Sequence, residues 1–123
     1  MAHRIYHDEE ILRLDFDQTV TNDELGEIAR TLAQLESSFP IVPHRLTDLT
    51  GTKGVSSTFA EILELAKARK ALKFANSFKS AIVAPRPVHV GIARMFSTLN
   101  DHPQITIRIF PDVESARAWL DET

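Results

Sequence analysis

Glycines and hydroxyls are concentrated in one short stretch, where Asp48-Leu49-Thr50-Gly51-Thr52-Lys53-Gly54-Val55-Ser56-Ser57-Thr58 precedes an apolar, glutamate-bearing segment. Glycines let a backbone turn or approach closely, and the free N–H groups at a helix start attract anions. Ser56, Ser57 and Thr58 therefore place hydroxyls where a phosphate or an acidic partner group would be stabilised. The plainer function of the same residues is structural, with Ser56 or Ser57 capping the helix and the glycines turning the chain. Two familiar motifs do not fit. Gly54-Val55-Ser56-Ser57-Thr58 lacks the closing glycine of a nucleophile elbow, and Gly51-Thr52-Lys53-Gly54 has the wrong order for a phosphate loop.

The elements that must position this stretch follow from periodicity. Residues 4–6 and 11–16 are β-prone around His7-Asp8-Glu9-Glu10, which predicts a hairpin. Leu12, Leu14 and Phe16 alternate with Arg13 and Asp15, the pattern of a strand with one buried face. Leu25, Ile28, Leu32 and Leu35 then recur at steps of three and four, which predicts a helix from Thr21 or Asn22 to about Ser38, before Pro40 and Pro43. Residues 43–49 read as the next strand, followed by a glycine loop and a helix starting near Ser56 with Phe59, Ile62, Leu63, Ala66 and Lys70 inward. A buried strand over 80–84, a helix over 90–99, a strand over 104–110 and a last helix after Pro111-Asp112 complete the chain. In that last helix Val113, Ala116, Trp119 and Leu120 face inward.

This order predicts an α/β fold, a single-layer mixed and mostly parallel sheet of about five strands with four helices. With 123 residues and no linker or repeat, residues 1–123 read as one domain. In such sheets ligands bind off the C-terminal ends of the strands, where the stretch 50–58 is expected to lie.

Composition narrows the chemistry. Hydrophobic residues make up 43% and charged residues 25%, a globular balance. Cysteine is absent, which excludes a disulfide framework, a thiolate metal site and a cysteine nucleophile, and is compatible with a reducing, cytoplasmic setting. The charged N-terminus does not read as a signal peptide, and no apolar run approaches the roughly 20 residues of a membrane helix. A net charge of -3 argues against nucleic acid. The five histidines are scattered, and His3 and His7, four residues apart on a strand, would stand roughly 13 Å apart, too far to share a metal. No metal, cofactor or acid–base pair is therefore expected, and the chain reads as non-enzymatic. The basic run Lys67, Arg69, Lys70, Lys73 and Lys79 reads as solvated cations near a helix C-terminus. Phe59, Leu63, Phe78, Met95 and Phe96 are candidates to line an apolar ligand pocket between helices and sheet, or to be plain core.

Ser80-Ala81-Ile82-Val83-Ala84, Gly91-Ile92-Ala93-Arg94-Met95-Phe96, Ile109-Phe110-Pro111-Asp112 and Ala116-Arg117-Ala118-Trp119-Leu120 carry a resemblance. Together they resemble the SpoIIAA-like family, bacterial STAS/SEC14-type domains that close with a Phe-x-Asp…Glu-x-Ala-x-x-Trp-Leu ending. Asp48-Leu49-Thr50 and Ser56-Ser57 are also similar to the Asp-Leu-Ser…Asp-Ser-Ser-Gly segment of anti-sigma factor antagonists, whose serine a partner kinase phosphorylates. Here Val55 stands in place of the Asp, Thr58 in place of the Gly, and the intervening loop is longer. The resemblance implies a regulatory domain whose partner-binding or phosphorylation residues are Asp48, Thr50, Gly51, Lys53, Gly54, Ser56, Ser57 and Thr58. Its SEC14 side implies, as the alternative, a small apolar or amphipathic ligand. A protein partner is expected in the first case, and an unpaired sheet edge or apolar helix face admits a homodimer.

Overall fold

A computed structural model describes residues 3–8 and 10–122. Its elements are β1 (His3–Asp8), β2 (Ile11–Thr21), α1 (Asn22–Ser38), β3 (Arg45–Ser56), α2 (Phe59–Lys70), β4 (Phe78–Val83), α3 (Pro87–Leu99), β5 (Ile105–Phe110) and α4 (Val113–Leu120). The strands lie in one sheet in the order β1-β2-β3-β4-β5. β1 pairs antiparallel with β2, and the other three pairings are parallel. The mixed, mostly parallel five-stranded sheet with four helices is thus as the alternation of patterns predicts.

Strands that follow one another into neighbouring positions through crossovers of one hand put the intervening helices on one face. Leu12, Leu14 and Phe16 of β2 accordingly join Leu25, Ile28 and Leu32 of α1, Ile62 of α2, and Ile92 and Phe96 of α3 in one apolar cluster. α4 has no strand to return to, and it covers the opposite face. There Ala116, Trp119 and Leu120 pack on Leu46, Ala81, Val83 and Phe110. Burying one such Leu, Ile or Phe contributes about 1.5–3 kcal/mol, so these two clusters dominate the stability of the layer.

Two expectations fail at β3 and α2. The predicted glycine loop is strand: β3 runs to Ser56 and stays paired with β2, through Asp17–Gly51, Gln18–Thr52, Thr19–Gly54 and Thr21–Ser56. Register shifts between Asp15 and Asp17 and between Gln18 and Thr19 insert extra residues on β3, so the period-2 signal is broken twice. Neither Gly51 nor Gly54 has a positive φ, and Gln18 on the facing strand carries one instead, 56°. Gly51 is required by close approach: a Cβ there would meet the Asp17 Cβ at 2.9 Å and the Phe16 carbonyl oxygen at 3.1 Å.

α2 starts at Phe59, and its cap is Thr58 in place of Ser56 or Ser57. Thr58 Oγ1 accepts from the Glu61 N–H (3.2 Å) while Glu61 Oε1 accepts from the Thr58 N–H (2.8 Å), a reciprocal capping box. Ile62 and Arg69 turn inward, whereas Phe59 (72% exposed), Leu63 and Lys70 turn outward, the reverse of the predicted face for those three.

Candidate functional site at the C-terminal ends of the strands

The long β2 and β3 carry their ends to the first turns of α1 and α2. Ser57 Oγ donates to Asn22 Oδ1 at 2.7 Å, tying the start of α2 to the start of α1. Thr21 caps α1 by accepting from the Glu24 N–H at 3.2 Å, and Glu24 also meets His3 Nδ1. Ser56 and Thr58 are exposed, as are Gly51 and Lys53 on the strand before them. The chemistry here differs from an anion cradle. The capping box brings the Glu61 carboxylate to the place an anion would take, and Asp23 and Glu24 occupy the first turn of α1.

Asp48 and Thr50 belong to a different group. Asp48 Oδ1 accepts from the Thr50 backbone N–H (3.0 Å) and hydroxyl (2.5 Å), and Asp48 Oδ2 accepts from Arg13 Nη2 at 3.2 Å. Arg13 Nε donates to Asp15 Oδ1 at 2.9 Å, and the Tyr6 hydroxyl donates to Asp15 Oδ2 at 2.8 Å. Burial alone would lower the Arg13 guanidinium; the hydrogen bond and charge of Asp15, with Tyr6 and Asp48, outweigh it and hold the group above its ordinary value. Asp8 joins through Arg117 and, at 3.9 Å, Arg13. Eight strand steps separate Asp48 from Ser56, roughly 26 Å at most. Asp48 and Thr50 thus sit in an ionic network on the sheet, while Ser56, Ser57 and Thr58 gather at the helix starts.

His89, which the sequence leaves among scattered histidines, stands behind the exposed stretch. Pro87 starts α3 earlier than the apolar spacing predicts, and this places His89 in the first turn facing the sheet. Its ring Nε2 lies 3.0 Å from the Thr52 carbonyl oxygen. A carbonyl only accepts, so Nε2 is the donor of this hydrogen bond. His89 Nδ1 and Thr52 Oγ1 are both buried without a hydrogen-bond partner among the described residues.

A second polar group lies inside the helical layer. Glu36, on the buried stripe of α1 one turn beyond Leu32, is 3% exposed, and Arg45 and Arg69 are 2% and 5% exposed. Arg69 Nη1 and Nη2 donate to Glu36 Oε1 and Oε2 at 3.2 and 3.1 Å. Arg45 Nη1 donates to Glu36 Oε2 at 3.1 Å and Nη2 to Asn100 Oδ1 at 2.7 Å. Arg69 therefore leaves the solvated basic run in which the sequence places it. So does Lys79, whose Nζ donates to the Trp119 and Glu122 carbonyls.

The five candidate pocket residues are not brought together. Phe59 and Leu63 are exposed, Phe78 packs with Val42 and Ile105, Met95 is half-buried, and Phe96 stacks on Phe16 with ring centres 5.1 Å apart. Of these, Phe96 lines a cavity of about 40 Å³ that also touches Phe16, Ile28, Leu32, Arg45 and Arg69. Among the described residues there is no group of three or more potential metal ligands, and no helix is long and apolar enough to cross a membrane.

The chain has a SpoIIAA-like fold. It is similar over 97% of its length, and 92% of the other chain, to an uncharacterized protein of the DUF3478 family with a SpoIIAA-like fold from Shewanella loihica, at 18% identity and a TM-score of 0.62. It is also similar to an anti-sigma factor antagonist from Mycobacterium paratuberculosis, over 98% of this chain and 93% of that one, at 11% identity and a TM-score of 0.60. No protein-family model and no curated protein sequence matches the chain. These two neighbours are named as an uncharacterized protein and an anti-sigma factor antagonist, and neither is named as an enzyme.

Proposed function

We propose that this is a non-enzymatic regulatory domain that contacts a protein partner through residues 50–58 and the first turn of α2. The observation that carries this reading is Phe59, 72% exposed immediately after the hydroxyls Ser56, Ser57 and Thr58, with Leu63 one turn further along the same face. Aromatic side chains that leave water on binding are the usual energetic centres of interfaces, and a polar rim of hydroxyls and Lys53 suits their surroundings. Ser56 is the better candidate for phosphorylation, because the Ser57 hydroxyl already holds Asn22. The likeness to an anti-sigma factor antagonist supports a regulatory role.

The test quantifies partner recovery after cross-linking in cells. Phe59→Ala should lower recovery roughly tenfold, the equivalent of a 1.4 kcal/mol interface residue. Ile41→Ala, which removes an equally exposed side chain before β3, should leave it unchanged. Equal losses from the two variants would sink the reading. Mass spectrometry of the recovered protein reads phosphate on Ser56, and Ser56→Asp should change recovery if phosphate is the switch.

A second reading, a SEC14-like pocket for a small apolar or amphipathic ligand, is favoured by the cavity bounded by Phe16, Ile28, Leu32 and Phe96 between helices and sheet.

A further inference from the structure

The wall of that cavity is not uniformly apolar. Phe16, Ile28, Leu32 and Phe96 supply hydrocarbon, and Arg45, Arg69, Thr47 and Asn100 are the polar residues of the lining. Two guanidiniums against the single carboxylate of Glu36 leave one positive charge in excess, inside a layer where all three residues are more than nine-tenths buried. An uncompensated buried charge is costly, and a hydrogen-bonding counterion relieves that cost. Arg45 feels the excess: burial foremost, and then the charge of Arg69, lower it to about 10 against the pull of Glu36. The donors are not exhausted either. Arg69 Nε is buried with no hydrogen-bond partner among the described residues.

A ligand that satisfies this wall carries one negative charge, accepts hydrogen bonds in the plane of a guanidinium, and is otherwise apolar. A carboxylate meets all three conditions. A phosphate brings more charge than one excess cation can balance. About 40 Å³ holds roughly three water-sized bodies, enough for a carboxylate and the first carbon or two of its chain. Longer chains require α1 and α3 to separate.

We propose that the cavity between α1, α3 and the sheet binds a small aliphatic monocarboxylate, with its carboxylate on Arg69 and Arg45 and its chain among Phe16, Ile28, Leu32 and Phe96. The proposal rests on the reading that this space takes a ligand at all, and its test separates the two. The probes are propionate, propan-1-ol and propylammonium, titrated into the whole protein. Binding is followed by calorimetry and by the Arg69 Nε–H resonance, which localises the site in the unmodified chain. Propionate should move that resonance and bind roughly tenfold tighter than propan-1-ol, with propylammonium weaker than both. Ala29→Leu, which adds bulk to the cavity wall without touching a charge, should abolish binding. If propan-1-ol binds as tightly as propionate and Ala29→Leu abolishes both, the cavity takes ligands and the carboxylate assignment is wrong. If no probe binds, or binding leaves the Arg69 resonance unmoved, the cavity holds solvent alone and both readings fall.

Discussion

Polar residues gather in two places, at the exposed ends of β2 and β3 and in the buried layer around Glu36, and different physics governs each. At the exposed end, Thr58 and Glu61 satisfy a helix start that water would otherwise satisfy, and Ser57 holds Asn22 side chain to side chain, so each bond contributes modestly. In the buried layer, Arg45, Glu36 and Arg69 have no such alternative, and removing Glu36 leaves two unpaired charges in hydrocarbon. An exposed site can therefore change its residues freely in response to a partner. The buried group is tied to the packing of α1, α2 and β3 and resists change.

The strongest way to break this contrast is Glu36→Gln. It leaves two buried guanidiniums without a countercharge and should cost about 3–5 kcal/mol in urea unfolding. Replacing Glu36, Arg45 and Arg69 together by apolar residues of similar volume should instead be close to neutral, or stabilising by up to about 4 kcal/mol. If the triple variant is as unstable as Glu36→Gln, the penalty comes from packing and not from charge.

The next largest effect belongs to the strand ends. Gly51→Ala should cost about 1–3 kcal/mol, because the new methyl meets Asp17 and the Phe16 carbonyl, while Gly54→Ala, with nothing within 4 Å, should be tolerated. Equal costs at both glycines would mean that chain flexibility, and not close approach, selects them. Thr58→Ala removes the capping hydroxyl and should cost about 1 kcal/mol, with partner recovery otherwise tracking the folded fraction.

The smallest effect is a pH slope. His44 is held below its ordinary pKa of 6.5 by burial first and by the Lys79 charge second, and its Nδ1 accepts the Lys79 backbone N–H at 2.9 Å. The folded state thus favours neutral His44, and the unfolded state binds more protons just below pH 6.5. Stability should be fully present above that pH and decline as pH falls through 6.5 toward the folded pKa. His44→Gln should flatten that part of the curve, as read by urea midpoints between pH 7 and 5.

How much of this was legible in the sequence varies with how regular each pattern is. β2 up to Phe16, the first turns of α1, and α4 follow uninterrupted periods of two or of three and four, and they are found where those periods place them. Residues 50–56 hide a strand because two bulges interrupt the alternation and two glycines imitate a turn. On α2 the buried face carries Ile62 and Arg69 and leaves Phe59 out, although a hydrophobicity count prefers the opposite. Glu36 continues the stripe Leu25, Ile28, Leu32 one turn further, a signal present in the spacing and masked by its charge. Its partners, Arg45 and Arg69, are far away in the chain, and no local pattern could have joined them.

The most direct test of the proposed contact surface replaces single residues by a photoreactive amino acid in the full chain. Lys53, Ser56 and Phe59 sample the proposed surface, and Lys73 and Ala75 are exposed positions in the connection before β4. Irradiation in cells should yield the same covalent partner from the first three positions and none from the last two. A partner captured equally well from Lys73 or Ala75, or from none of the first three, would contradict a contact surface at residues 50–58.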